Sequence, residues 1–155
     1  MRNVRRKDRE IIAQEAVDVL NAAEFGVLST VDPEGQPYGV PLSFVYNNDA
    51  IYFHCALNGH KLDNIALNSK VSFCAVGGTH VLPDKFATEY ESAIVFGIAG
   101  EAHGTERYEA LVCLLQKYCS DYLQEGLQYI ELKDSSTKVL KIEINYISGK
   151  ARRKI

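Results

Sequence analysis

A chain of 155 residues, 46% hydrophobic and 24% charged, has the length of one domain and can bury about 70% of its unfolded surface, which excludes the disordered, collagen-like and low-complexity classes. No apolar run approaches the roughly 20 residues of a membrane helix, and the opening MRNVRRKDRE lacks the apolar segment of a signal peptide, so a cytoplasmic protein with no membrane contact is expected. The net charge of -3 hides basic ends, Arg2 to Arg9 and Lys150 to Lys154, around a body in which 8 cations face 19 acids; that body would repel a phosphate backbone, so no nucleic-acid partner is expected.

In chain order, Ile12, Ala16, Val19, Leu20 and Ala23 recur at helical spacing and predict an amphipathic helix over Lys7 to Ala23. FGVLSTV and YGVPLSFVY, separated by Asp32-Pro33-Glu34-Gly35, read as a β-hairpin. After a turn at Asn47-Asn48-Asp49, Ala50 to Ala56 is a third strand, with Ile51, Phe53 and Cys55 on one face and Tyr52, His54 and Ala56 on the other. Asn58 is a candidate N-cap for a helix from His60 to Leu67 whose apolar face is Leu62, Ile65 and Ala66.

Lys70 to Val76 is again strand, and Gly77 to Glu89, with two Gly, one Pro and no clear period, is expected to be a loop. Tyr90 to Glu101 is a long strand in which Gly97 and Gly100 suggest a bend or bulge. A helix is predicted over Glu106 to Tyr122 from the stripe Tyr108, Leu111, Val112, Leu115 and Tyr118, and a last strand over Thr137 to Ile147. About six strands with short turns, a few helices and no repeated βαβ unit favour a mainly β antiparallel barrel with peripheral helices.

The four cysteines show no metal-ligand or C-x-x-C spacing and read as reduced and structural; no metal site is expected. No G-x-G-x-x-G, Walker A, nucleophile elbow or H-E-x-x-H occurs. Charge is more informative. From Glu10 through Ser69 there are eight carboxylates and one cation, Lys61, in the first turn of the helix that Asn58-Gly59-His60-Lys61 opens. Unpaired amides and the helix dipole attract an anion there, Gly59 leaves the approach bare and His60 adds a donor, so a phosphate would fit; a solvated surface lysine is the competing reading. His54, just upstream, is a packed, hydrogen-bonded residue or, if a ligand lies on its face, a proton carrier.

Taken in order, RRKDREI, GVLSTVDPEGQPYGVPLSFVY, IYFHCALNGHKLDNI, KVSFCAVG and YESAIVFGIA resemble the nitroimidazole resistance protein family, a branch of the flavin-binding split barrels related to pyridoxamine phosphate oxidase. The likeness runs from about Arg5 to Gly149, and YFHCA-x-x-GHK-x-D-N-I is its most specific block. It implies one flavin-binding split-barrel domain over residues 1–155, with 1–6 and 151–155 as flexible basic tails, and a homodimer holding flavin mononucleotide (FMN; FAD is the variant) at the subunit interface. By position, His60 and Lys61 would grip the phosphate with Asn64 one turn on. Thr30 and the run Val40, Pro41, Leu42 and Ser43 would lie along the ribityl chain and ring, and Tyr90 and Ser92 would face them from across the cleft. His54 falls on the family's reactive histidine. The activity implied is reduction of a small electron-poor acceptor such as a nitroimidazole, the alternative being a flavin- or haem-binding carrier or sensor without turnover. The chain end, Ser148-Gly149-Lys150-Ala151-Arg152-Arg153, lacks the arginine-rich substrate motifs of a true pyridoxamine phosphate oxidase, which argues against vitamin B6 oxidation.

Overall fold

Alternating side chains and tight turns build a single coiled antiparallel sheet. The computed structural model describes residues 3–153. Its elements are β1 (Glu10–Ile11), α1 (Ala13–Ala22), β2 (Gly26–Val31), β3 (Pro37–Leu42), β4 (Val45–Asn47), β5 (Ala50–Cys55), α2 (His60–Leu67), β6 (Lys70–Leu82), β7 (Ala87–Glu101), α3 (Gly104–Tyr118), α4 (Leu123–Lys133) and β8 (Lys138–Arg152). The sheet runs β3-β2-β6-β7-β8-β5-β4, with β1 added against the far end of β8. This is the mainly antiparallel split barrel that the pattern and the resemblance lead one to expect. No helix among the described residues is long and apolar enough to cross a membrane.

Inside the barrel, Leu28, Ile51, Phe53, Phe73, Val95 and Ile142 pack with Ala16, Val19 and Leu20 of α1. A second core lies on the other face of β5, where Tyr52, Val139 and Ala50 meet Ala110, Leu111 and Leu114 of α3 and Ile130 of α4. β5 is therefore buried on both faces along most of its length. The turn before it, Asn48 and Asp49, has positive φ at both residues (47° and 57°), the geometry that a two-residue hairpin in a right-twisted sheet demands.

Five expectations change. The first helix begins at Ala13, because Lys7–Arg9 is a 3-10 turn and Glu10–Ile11 pairs with Lys150 and Gly149 of β8; Glu15 then accepts the Ile12 N–H at 3.2 Å. The predicted strand Tyr38 to Tyr46 breaks at Ser43-Phe44, so that β3 pairs with β2 and β4 with β5. The expected loop over Gly77 to Glu89 is a two-stranded arm, its paired glycines serving as a bulge between Val76 and Thr79 and its Pro83 opening the tip turn. The helix predicted to Tyr122 ends at Tyr118, and α4 follows it unanticipated. Finally, β8 continues to Arg152, with Ala151 buried opposite Glu91, so the C-terminal run is strand as far as it is described; residues 1, 2, 154 and 155 lie outside the described residues.

Gly97 marks the bulge where Phe96 faces Tyr146 but Gly97 faces Ile144. A Cβ there would lie 2.2 Å from the Glu143 carbonyl oxygen and 2.8 Å from Ile142 Cγ2, whereas one on Gly100 would meet nothing within 4 Å. Gly97→Ala is expected to cost about 1–3 kcal/mol or more through forced backbone movement, and Gly100→Ala to be within about 1 kcal/mol of the parent. Urea unfolding of both variants checks this, and coincident midpoints would refute it.

Candidate functional site

The start of α2 is shaped by Gly59, whose φ of 143° is open to glycine and strained for other residues. Gly59, and not Asn58, sits at the cap: its carbonyl accepts the amides of Leu62 (2.8 Å) and Asp63 (3.2 Å), and no side chain caps the helix. The amides of His60 and Lys61 thus lead the helix without intrahelical acceptors. Nothing lies within 4 Å of where a Gly59 Cβ would stand, so the approach is open. His60 packs on Tyr38 of β3, ring centroids 4.2 Å apart. Lys61 is half-buried and among the described residues forms no ion pair; its charge reaches the Cys55 thiol, as do those of Lys138 and Glu101.

Thr30 and Asn64 lie behind this corner. Asn64 is 2% exposed and donates from Nδ2 to Thr30 Oγ1 at 3.0 Å, and the Thr30 hydroxyl is 3.4 Å from the Tyr38 carbonyl. Their polar groups bond α2 to β2 and β3, so these two side chains set the height and tilt of the His60-Lys61 corner. Ala66, expected on the apolar face, is exposed, and Asn64 takes the buried position.

Val40, Pro41 and Leu42 belong to β3, an edge strand, and Ser43 follows it, exposed. Pro41, opposite Val27, has no N–H to give and suits an edge. The next residue, Phe44, is fully buried, edge-on to Phe73 at 4.7 Å. Its backbone is held by Tyr118 at the end of α3: the hydroxyl accepts the Phe44 N–H at 3.0 Å and lies 2.6 Å from the Glu24 carbonyl and 2.9 Å from that of Phe44. Lys117, one residue earlier, donates to the Leu20 carbonyl at 3.3 Å and stands 4.0 Å above the Phe44 ring. Burial lowers its pKa to about 8.

His54 lies at the open end of β5, paired with Val139. It forms part of a cleft of about 340 Å³ with Ser43, Leu111, Leu114, Tyr129 and Ile130. The residue is exposed, yet desolvation along this wall lowers its pKa from the ordinary value. Of its expected face-mates, Ala56 is exposed, while Tyr52 is buried and donates to Glu106 at 2.8 Å. Burial first, and then that carboxylate, drives the Tyr52 pKa up. Arg107 at the cleft rim is spent on the Asp134 carboxylate and on the carbonyls of Asp134 and Thr137. The α4 wall escaped the sequence reading; Leu123, Leu127 and Ile130 carry a helical spacing that Gly126 obscures.

Tyr90 and Ser92 are placed elsewhere. They pair with Arg152 and Lys150 at one end of β7, whereas Glu101, whose charge like that of Lys61 reaches the Cys55 thiol, is at the other. Ten or so residues at 3.3 Å each separate these ends by about 30 Å along the strand. One copy of the chain does not bring Tyr90 and Ser92 to the α2 corner.

Comparison with known proteins gives a consistent picture. A family model described as pyridoxamine 5'-phosphate oxidase matches residues 13–151. Among solved structures, a candidate 5-nitroimidazole antibiotic resistance protein from Bacteroides thetaiotaomicron superposes with a TM-score of 0.74 at 24% identity, over 91% of this chain and 85% of that one. A conserved hypothetical protein from Mycobacterium tuberculosis gives 0.82 at 18% identity, over 97% and 91%, and an FAD and heme binding protein from Mycobacterium smegmatis 0.71 at 18%, over 94% and 74%. At these identities the likeness is one of fold. No curated protein matches the sequence.

The half-buried amine of Lys117 makes stability depend on pH. Its folded pKa, about 8, lies below the roughly 10.4 of an unfolded lysine, so between these values the unfolded state binds more protons and stability rises with pH. Subtracting the Lys117→Met profile from that of the parent in urea unfolding at pH 7 to 10.5 is expected to show a rise confined to that window. A flat difference would show that Lys117 is not desolvated.

Proposed function

The chain belongs to the pyridoxamine 5'-phosphate oxidase family of split barrels, and from that premise we propose that it is a flavin-dependent oxidoreductase that reduces a small electron-poor acceptor, a nitroimidazole or another nitro-aromatic. The observation that carries the reading is the α2 corner: an unpaired lysine and two leading amides around a glycine with open space before it. That donor set fits a phosphate monoester, and FMN is the flavin we assign to it, with FAD as the variant. Lys61 and the amides of His60 and Lys61 would hold the phosphate, and Val40 to Ser43 would offer the backbone of an edge strand to the ribityl chain and ring.

Bound there, the flavin supplies the electron transfer. The protein's part is to exclude water and manage protons. The apolar wall of α3 and α4 accepts a flat neutral molecule, and His54 beside it donates a hydrogen bond as neutral imidazole or a proton as imidazolium, whose acidity burial strengthens. We further propose a homodimer with flavin between subunits. Val76, Ile94 and Ile98 leave an apolar outer face on β6 and β7, and Tyr90 and Ser92 reach such a site only from a second copy.

The second reading is a flavin or haem carrier without turnover. It draws on His54, an imidazole on an apolar wall and thus of the type that ligates haem iron, and on the M. smegmatis neighbour named for both groups. The visible spectrum of the purified protein separates a flavin from a Soret band, and anaerobic bleaching by a nicotinamide donor separates turnover from carriage.

Lys61→Ala is expected to weaken FMN binding at least tenfold, the value of a charge-assisted contact of about 1.5–3 kcal/mol; unchanged affinity in a fluorescence titration would remove the phosphate from α2. His54→Ala is expected to keep flavin and slow anaerobic reoxidation by a nitro-aromatic by about 10²–10⁴-fold at matched occupancy. Equal single-turnover rates, with only stability changed, would reduce His54 to a packing residue.

A further inference from the structure

The basic residues at the two ends of the chain have no part in the site above, yet the fold gathers them. Pairing of Glu10 with Lys150 brings the Arg5–Arg9 segment beside the end of β8. Three of these charges are neutralised there: Arg6 takes Asp8 through two hydrogen bonds, Lys7 takes Glu10 at 2.6 Å, and Arg153 takes Glu15 at 2.6 Å and Glu91 at 2.8 Å. Arg5 and Lys150 form no ion pair among the described residues, and two further guanidiniums share one cleft. Arg152 forms no ion pair among the described residues, and the carboxylate beside Arg9 is Asp8, 4.0 Å away and already held by Arg6.

Both arginines line one open cleft of about 500 Å³, together with Tyr90, Phe86, Pro83 and Thr88, and no carboxylate lines it. Tyr90 is the direct cross-strand partner of Arg152. Phe86, at the tip of the β6–β7 arm, is 96% exposed with a left-handed φ of 47°, a costly conformation for an aromatic residue whose ring is left in water. The unpaired guanidinium of Arg152 and the loosely paired one of Arg9, beside the half-buried Tyr90 and the exposed Phe86, make a donor set for a phosphate and a stacking surface for a planar base.

We infer that this cleft binds a nucleoside phosphate, its phosphate between Arg9 and Arg152 and its base against Tyr90 and Phe86. A nucleic-acid strand is disfavoured, because its further phosphates would run onto a body of 19 acids and 8 cations, whereas a single nucleotide meets only the cleft. The inference does not rest on the flavin reading. Two sources share the chemistry: the adenylate half of FAD, or the adenylate half of a nicotinamide donor.

Calorimetric titration of the full chain with ADP and with adenosine, with and without saturating FMN, tests it. ADP is expected to bind in both conditions and more tightly than adenosine. Arg152→Ala should weaken ADP at least about tenfold and Arg152→Lys restore part of the loss. Phe86→Ala, at a fully exposed tip and so harmless to folding, should weaken ADP several-fold. In Arg152→Ala, a fall in FAD affinity with FMN affinity intact assigns the cleft to the flavin's own adenylate; a rise in the KM for NADH or NADPH with FAD affinity intact assigns it to the electron donor. Absence of ADP binding, equal ADP affinity in parent and both alanine variants, or displacement of ADP by FMN would overturn the inference. Failure of FMN to bind would count against the flavin reading and leave the ADP result standing.

Discussion

The grip of Tyr118 on Phe44 is the contact on which the arrangement of the site depends. β3 and β4 are the two edges of the coiled sheet and are consecutive in the chain, so the split in the barrel is bridged by Ser43 and Phe44 alone. Phe44 buries its ring fully inside, which takes its amide and carbonyl away from water where no neighbouring strand can pair them. An unpaired buried group costs about 1–3 kcal/mol. The Tyr118 hydroxyl accepts the Phe44 amide and shares its single proton between the Glu24 and Phe44 carbonyls, and Lys117 ties the same helical turn to Leu20. The end of α1, the split and the end of α3 are thereby one unit. Ser43 and Tyr118 also line the His54 cleft, so the edge strand β3 and that cleft are aligned by the same hydroxyl.

The second core gives His54 its properties. Tyr52 and Val139 are sealed beneath α3 and α4, and His54, two residues further along β5, is where that cover ends. A histidine deeper in the strand would be neutral and inaccessible; one beyond it would be solvated with an ordinary pKa. At the boundary the ring is partly desolvated, which pulls its pKa down, yet it remains open to the cleft. A proton carrier needs both accessibility and a strained charged form.

The parts legible in the sequence were those that local chemistry decides. α2 runs over His60 to Leu67 as predicted, and the isolation of Lys61 among acids marked the corner before any fold was known. The turns at Pro33-Glu34-Gly35 and Asn48-Asp49 declared themselves through residues that tolerate their dihedrals. What was hidden depends on distant partners. Glu10 and Ile11 look like the first turn of a helix, but Gly149 of β8, where a Cβ would crowd Ile11 at 2.6 Å, draws them into the sheet. Gly126 reads as a helix breaker, yet a Cβ there would lie 2.7 Å from Leu115, and its absence lets α4 close on α3. Thr30 and Asn64 were named by resemblance as ligand-facing, while their mutual hydrogen bond across 34 residues has no signature in either segment.

The distribution of charge also bears on what the His54 cleft admits. At physiological ionic strength a charge is felt over about 8 Å, so on an acidic body an anion is attracted only beside an uncompensated cation. Such cations stand at the α2 corner and at the Arg9–Arg152 cleft, while the His54 cleft has Arg107 and Lys133 at its rim. There the rim guanidinium of Arg107 is committed to Asp134 and two carbonyls, and Lys133 is exposed on the last turn of α4. A phosphorylated amine would meet a wall of Leu111, Leu114 and Ile130, with only the exposed Lys133 free at the rim to receive its phosphate. A neutral aromatic loses little by leaving water for that wall and meets one imidazole able to hydrogen-bond it. The split-barrel frame thus keeps the wall of this cleft mainly apolar, which suits an uncharged aromatic better than a phosphorylated one.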